Sequence, residues 1–92
     1  MANLFVTYDL YAPVKNYPRV EAAIRSLGTA DRVLLSVWYV KTAHNAESAR
    51  NILSHALDEN DKLLVVDAAN AFGWGLNPAQ WTGMQQLWLR AA

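Results

Sequence analysis

A chain of 92 residues has room for one hydrophobic core and predicts a single domain, residues 1–92. Hydrophobic residues make up 53% of the chain and charged residues 17%, which excludes a disordered protein. The absence of cysteine excludes disulfides and thiolate metal sites. Eight Lys and Arg balance eight Asp and Glu, so nucleic-acid binding would require a local basic patch, because the overall charge does not favour it.

The apolar excess also bears on assembly and compartment. A short domain buries a smaller share of its surface than a large one does, and four Trp and four Tyr need cover, so we expect a homodimer. No apolar run approaches the roughly 18 residues of a membrane span. The N-terminal residues lack the basic start and long apolar run of a signal peptide. We therefore expect a cytoplasmic protein with no membrane partner.

The first part of the chain predicts a strand followed by a helix. Residues 4–10 are apolar and β-rich, which is typical of a central strand. A helix is expected to begin near Tyr17, behind Asn16 as its N-cap. Gly28 follows the apolar stripe of this helix, where a left-handed C-terminal residue is expected.

The middle of the chain predicts further strands and a second helix. The β-rich segment 32–42 is long for one strand, so whether it forms one strand or two, divided near Leu35 and Ser36, stays open. Asn45 is expected to cap a second helix, and residues 62–68 to form the last strand. We expect one face of the sheet to be covered by apolar residues of both helices, namely Val20, Ile24, Leu27, Ala49, Ile52, Leu53 and Leu57.

Residues 70–92 predict a loop and a C-terminal amphipathic helix that extend the domain. Asn77 caps this helix, Pro78 begins it, and its apolar side carries Trp81, Met84, Leu87 and Trp88. A free helix of this length is marginal in water, so it must dock on the open face of its own sheet or on a dimer mate. With two strands in 32–42, the element order predicts an α+β, ferredoxin-like βαββαβ sandwich, with an antiparallel sheet, two crossover helices and the C-terminal helix.

Two segments carry a resemblance to a known family, and this resemblance covers roughly residues 3–68. The first strand ends in Tyr8-Asp9, and the first helix is followed by the stretch Arg32-Val33-Leu34-Leu35-Ser36-Val37-Trp38. This pair resembles the small dimeric CRISPR-associated adaptation endoribonucleases, in which a Tyr-Asp strand end precedes an Arg-Val-x-x-Ser-Val-aromatic stretch. The related virulence-associated protein D toxins share that fold.

The resemblance implies a metal-dependent endoribonuclease that dimerises through its sheet. Asp9 would face its dimer mate and help hold one Mg²⁺, whose bound water attacks a phosphodiester. Ser36 would be a site residue beside Asp9. Basic side chains near this end of the strand are candidates for contacts with RNA or DNA phosphates; they are Lys15, Arg19 and Arg32.

Each of these residues also has an ordinary structural interpretation. In that interpretation Asp9 is a turn residue whose carboxylate caps the next loop, and Ser36 forms a local hydrogen bond. Asp67 is expected at the opposite end of an antiparallel sheet from Asp9. The spacing of Trp74, Trp81 and Trp88 favours core or dimer packing over base stacking. The neutral charge and apolar C-terminus favour a second hypothesis, a non-catalytic dimeric scaffold or regulator that binds a protein partner.

Overall fold

Seven elements follow one another in the computed structural model, which describes residues 1–11 and 17–89. They are β1 (Ala2–Asp9), α1 (Tyr17–Ser26), β2 (Gly28–Leu34), β3 (Val37–Thr42), α2 (Ala46–Ser54), β4 (Lys62–Asp67) and α3 (Pro78–Trp88). The strands form one antiparallel sheet in the order β2-β3-β1-β4. The fold is therefore the predicted α+β, ferredoxin-like arrangement with an added C-terminal helix. Within the described part of the chain, no helix combines the length and apolar character needed to cross a membrane.

The β-rich segment 32–42 belongs to two strands. β2 ends at Leu34 and β3 begins at Val37, with Leu35 and Ser36 forming the turn between them. The pairing register shifts between Arg32 and Leu34, which is a β-bulge next to the turn. Because a bulge increases the local twist and bends its strand, it allows this change of direction without a glycine at the turn.

Gly28 has a different role from the one expected. It does not adopt a left-handed conformation, since Gly75 is the one described residue with a positive φ, at 73°. Gly28 instead begins β2 opposite Thr42, and a Cβ atom at this position would collide with the carbonyl oxygen of Lys41. Glycine is needed here because two backbones approach closely.

The first face of the sheet packs against α1 and α2 and forms the core. Alternate β1 residues Leu4, Val6 and Tyr8 are buried on it, together with Trp38 and Val40 of β3. All seven helix residues predicted to cover this face lie in the core or against it. From β2, Ala30 packs against this core, whereas Leu34 is 55% exposed.

The second face of the sheet is covered in part by α3. The Trp88 ring stacks on Tyr39 with centroids 5.6 Å apart and lies 5.9 Å from the Phe5 ring. Met84 is buried, and Lys41 Nζ donates to the Trp88 carbonyl at 3.3 Å. The C-terminal helix therefore docks on its own sheet, one of the two surfaces predicted for it. Burial of the Tyr39 side chain raises the pKa of its phenol above the ordinary value, because the charged form loses water contacts.

Side-chain caps position both later helices as the sequence predicts. The Asn45 side chain accepts a hydrogen bond from the Ser48 amide at the start of α2. The Asn77 side chain accepts from the amides of Ala79 and Gln80 at the start of α3. The proposed cap Asn16 lies outside the described residues.

The loop before β4 is tied to the end of β1 by Asp61. Its Oδ1 accepts from the Tyr11 amide and its Oδ2 from the Asp58 amide, both at 2.8 Å. These two backbone hydrogen bonds hold the pKa of the Asp61 carboxyl below its ordinary value of 3.8. The charged carboxylate thus fixes the chain as it leaves β1.

We predict that Trp88→Ala lowers the free energy of unfolding by about 2–4 kcal/mol, because it removes aromatic area from the second sheet face. Leu89→Ala is the matched control, since Leu89 is 84% exposed, and it should change stability by less than about 0.5 kcal/mol. Urea unfolding followed by far-UV circular dichroism measures both. Equal losses in the two variants would contradict the docking of α3 through Trp88.

We predict that Asp61 contributes stability at neutral pH that is lost on acidification. A folded-state pKa below the unfolded one means that the contribution is complete well above the unfolded value and declines between about pH 5 and pH 3. The urea midpoint of the wild type should therefore fall more from pH 7 to pH 3 than that of Asp61→Asn. Glu59→Gln, an exposed change in the same loop, should fall as much as the wild type. Parallel curves for the wild type and Asp61→Asn would refute this role.

Candidate functional site

A cleft of about 650 Å³ opens where the end of β1, the start of α1 and the β2–β3 turn meet. Its lining consists of Tyr8, Asp9, Leu10, Tyr17, Glu21, Arg32, Leu35 and Ser36. Three of these, Asp9, Arg32 and Ser36, are site residues predicted from the sequence. The fold therefore brings together residues from the strand end and from the later β-rich stretch.

Antiparallel pairing explains this convergence. β1 and β3 pair from Ala2 opposite Thr42 to Thr7 opposite Val37, so the turn containing Ser36 lies beside the carboxyl end of β1. Arg32 reaches the same end because β2 pairs with β3 up to that turn. The register of the two central strands thus determines which side chains share the cleft.

Arg32 is held in place by two neighbours. Its Nη2 donates to Glu21 Oε2 at 2.5 Å, and its guanidinium carbon lies 5.3 Å from the centre of the Trp38 ring. The Arg32 side chain is 43% exposed, so part of the guanidinium faces solvent. A guanidinium has five N–H donors, and the contact with Glu21 leaves others for a ligand.

Aromatic side chains form another part of the cleft. The buried Tyr8 hydroxyl accepts a hydrogen bond from Trp38 Nε1 at 3.2 Å. The Tyr17 ring lies 6.1 Å from the Tyr8 ring, and Tyr17 is 39% exposed. The exposed part of Tyr17 offers a flat apolar surface at the cleft, which suits a base or another planar group.

Asp9 is exposed at the last position of β1, opposite Lys62 of β4. It also borders a smaller cleft of about 140 Å³ that includes Lys62 and Leu64. At the other end of the same strand pair, Asp67 lies opposite Leu4. Asp9 and Asp67 are therefore at opposite ends of the sheet, as the sequence predicts, and do not share a site.

Of the other two predicted basic residues, Arg19 lies in the described part of the chain and does not line the cleft. The Arg19 guanidinium donates to the carbonyl of His55 at 2.6 Å and so links α1 to the end of α2. Lys15 lies outside the described residues. Of the basic residues predicted from the sequence, Arg32 is the one that lines this cleft together with Asp9.

Two cleft residues, Tyr17 and Glu21, were not singled out from the sequence. They stand four residues apart at the start of α1, a spacing that places both on one side of the helix. That spacing was a usable signal, but the sequence alone does not show that this side faces Arg32. The contact depends on how α1 packs across β2.

The donor groups fit a magnesium ion only if other ligands complete its shell. Among residues 1–11 and 17–89, no group of three or more His, Asp or Glu side chains is placed to hold a metal. Asp9 offers one exposed carboxylate, and Glu21 is engaged by Arg32. Mg²⁺ commonly keeps several waters and binds one or two carboxylates together with substrate phosphate oxygens. A hydrated Mg²⁺ at Asp9 is consistent with that chemistry.

The lining of the cleft thus includes Asp9, an Arg32 guanidinium held by Glu21, and Ser36 of the β2–β3 turn. Arg32 suits a phosphate or another anion, and Asp9 suits a hydrated cation. No protein-family model, no curated protein and no solved structure matches this chain, so the functional inference depends on these side chains.

Proposed function

We propose that this chain is a Mg²⁺-dependent endoribonuclease of the CRISPR-adaptation or toxin type, acting as a cytoplasmic homodimer. The observation that carries the proposal is the meeting of Asp9, Ser36 and Arg32 in one cleft. The Tyr8-Asp9 strand end and the stretch from Arg32 to Trp38, on which the family resemblance rests, both contribute to this cleft or its floor.

The proposed roles follow from the chemistry of each side chain. Asp9 would hold a hydrated Mg²⁺, and that ion would supply a bound water of lowered pKa, whose oxygen would bond to phosphorus as the P–O bond to one ribose oxygen breaks. Arg32 contacts the phosphate through N–H groups that Glu21 leaves free, and Glu21 keeps the guanidinium oriented. The Ser36 hydroxyl donates to a phosphate oxygen, and Tyr17 stacks on a base.

A homodimer would complete this site. One protomer offers a single exposed carboxylate at the end of β1, and a two-fold mate would bring a second Asp9 to the same ion. Because the chain has no net charge, RNA binding would depend on a few local contacts and weaken at high salt. The expected substrate is single-stranded RNA, whose bases are free to stack.

We predict that the protein cleaves labelled single-stranded RNA with Mg²⁺ and that Asp9→Asn reduces the rate by at least about 100-fold. Asp67→Asn is the matched control, since it removes a carboxylate at the opposite end of the sheet and should retain the wild-type rate. Chelation by EDTA should abolish cleavage. Equal rates for the wild type and Asp9→Asn, or no cleavage by either, would refute the catalytic proposal.

A second candidate function is a non-catalytic dimeric scaffold or regulator that binds a protein partner. The specific observation in its favour is the pair of large aromatic side chains Phe72 and Trp74, which are 93% and 96% exposed. Exposed aromatic groups of this size are typical of interaction surfaces. A dimer that binds no RNA and cleaves none would favour this candidate.

A further inference from the structure

The second face of the sheet carries an aromatic pair on its two inner strands. Phe5 of β1 lies directly opposite Tyr39 of β3, and the centroids of the two rings are 5.7 Å apart. Single-stranded RNA is bound on four-stranded sheets by aromatic side chains that stack on two or three of its bases. Phe5 and Tyr39 stand where such stacking takes place, on the face that α1 and α2 do not cover.

The indole of Trp88 occupies this stacking position. Its plane is inclined by 20° to the Tyr39 ring at a centroid distance of 5.6 Å, and by 40° to the Phe5 ring at 5.9 Å. Every nucleobase also has a flat π-face that stacks on aromatic side chains. α3 therefore covers the aromatic pair with a ring of the same general shape as a base, and a base can reach Tyr39 only when Trp88 leaves.

A buried positive charge lies beside the aromatic pair. Lys41 is 6% exposed, and its Nζ donates to Asn3 Oδ1 at 3.1 Å and to the Trp88 carbonyl at 3.3 Å. Both acceptors are neutral, and Lys41 forms no ion pair with any residue that the structure describes. Buried charges in proteins are usually paired with an opposite charge. A phosphate would supply that charge, so this position fits a nucleotide better than an apolar side chain of a protein.

The helix that covers this face is weakened in its middle. Gly83 lies inside α3, and a Cβ atom at this position would meet nothing within 4 Å, so no packing contact requires glycine there. Glycine in a helix interior lowers helix stability, and a free helix of this length is marginal in water. α3 therefore depends on its contacts with the sheet, and a ligand that replaces Trp88 can displace it.

We propose that the second sheet face is a binding site for single-stranded RNA and that α3 is the lid that closes it. When α3 leaves, bases stack on Phe5 and Tyr39, and Lys41 exchanges the Trp88 carbonyl for a phosphate oxygen. Asp9 follows Phe5 by four residues on the same side of β1, or roughly 13 Å along the strand, so a bound RNA extends towards the cleft. The inference goes beyond the proposed function, because this binding requires neither Mg²⁺ nor a dimer.

Fluorescence anisotropy of a labelled single-stranded RNA of about ten nucleotides, in EDTA, measures this binding without cleavage. Trp88→Ala should bind at least about ten-fold more tightly than the wild type, because it uncovers the aromatic pair. Adding Phe5→Ala to that variant should remove the gain. Gly83→Ala, which strengthens α3 without touching the face, should bind at least about three-fold more weakly than the wild type. Leu89→Ala, an exposed change beside Trp88, is the matched control and should leave the affinity unchanged.

Hydrogen exchange on the wild type tests the lid without any substitution. Backbone amides of α3 should exchange faster when the protein is saturated with the RNA, and unchanged or slower exchange would overturn the inference. An affinity that Trp88→Ala does not raise, or a gain that survives the loss of Phe5, would also overturn it. Circular dichroism checks that each variant is folded. A failure of the wild type to cleave RNA with Mg²⁺ refutes the proposed chemistry and leaves this binding site standing.

Discussion

The buried indole of Trp38 joins the core of this protein to its cleft. The ring is fully buried, and its N–H donates to the Tyr8 hydroxyl, a residue that also lines the cleft. The guanidinium carbons of Arg25 and Arg32 lie 4.8 and 5.3 Å from its centre. Because a cation near an aromatic face is attracted to it, packing of this one side chain also positions the charged group that faces a ligand.

The second constraint is that one sheet in a short chain has two apolar faces to cover. α1 and α2 cover the first, and α3 covers part of the second through Trp88, Tyr39 and Phe5. Lys41 tolerates burial under α3 because its Nζ donates to Asn3 Oδ1 and to the Trp88 carbonyl. The apolar side chains that stay exposed include Phe72 and Trp74 in the segment before α3 and Leu64 and Val66 on β4.

Some of the cleft was visible in the sequence because strand ends are local features. Asp9 ends an apolar strand and so draws attention without any knowledge of the fold, whereas Ser36 was a candidate only through the family resemblance. Glu21 and Tyr17 belong to an ordinary helix, and their importance depends on the packing of α1 against β2. Arg19 looks equivalent to Arg32 in the sequence, yet its guanidinium is bound to the His55 carbonyl on another part of the surface.

The sequence by itself determined which segments form helices and which form strands, together with the caps at Asn45 and Asn77, because periodicity and capping act over a few neighbouring residues. Only the tertiary structure decided the division of 32–42 into two strands, since its turn carries no glycine and depends on a bulge formed against β3. It also decided that Gly28 stands where two backbones approach too closely for a Cβ atom, and that α3 packs on its own sheet. These outcomes depend on pairing and packing between residues far apart in the chain, which no local pattern encodes.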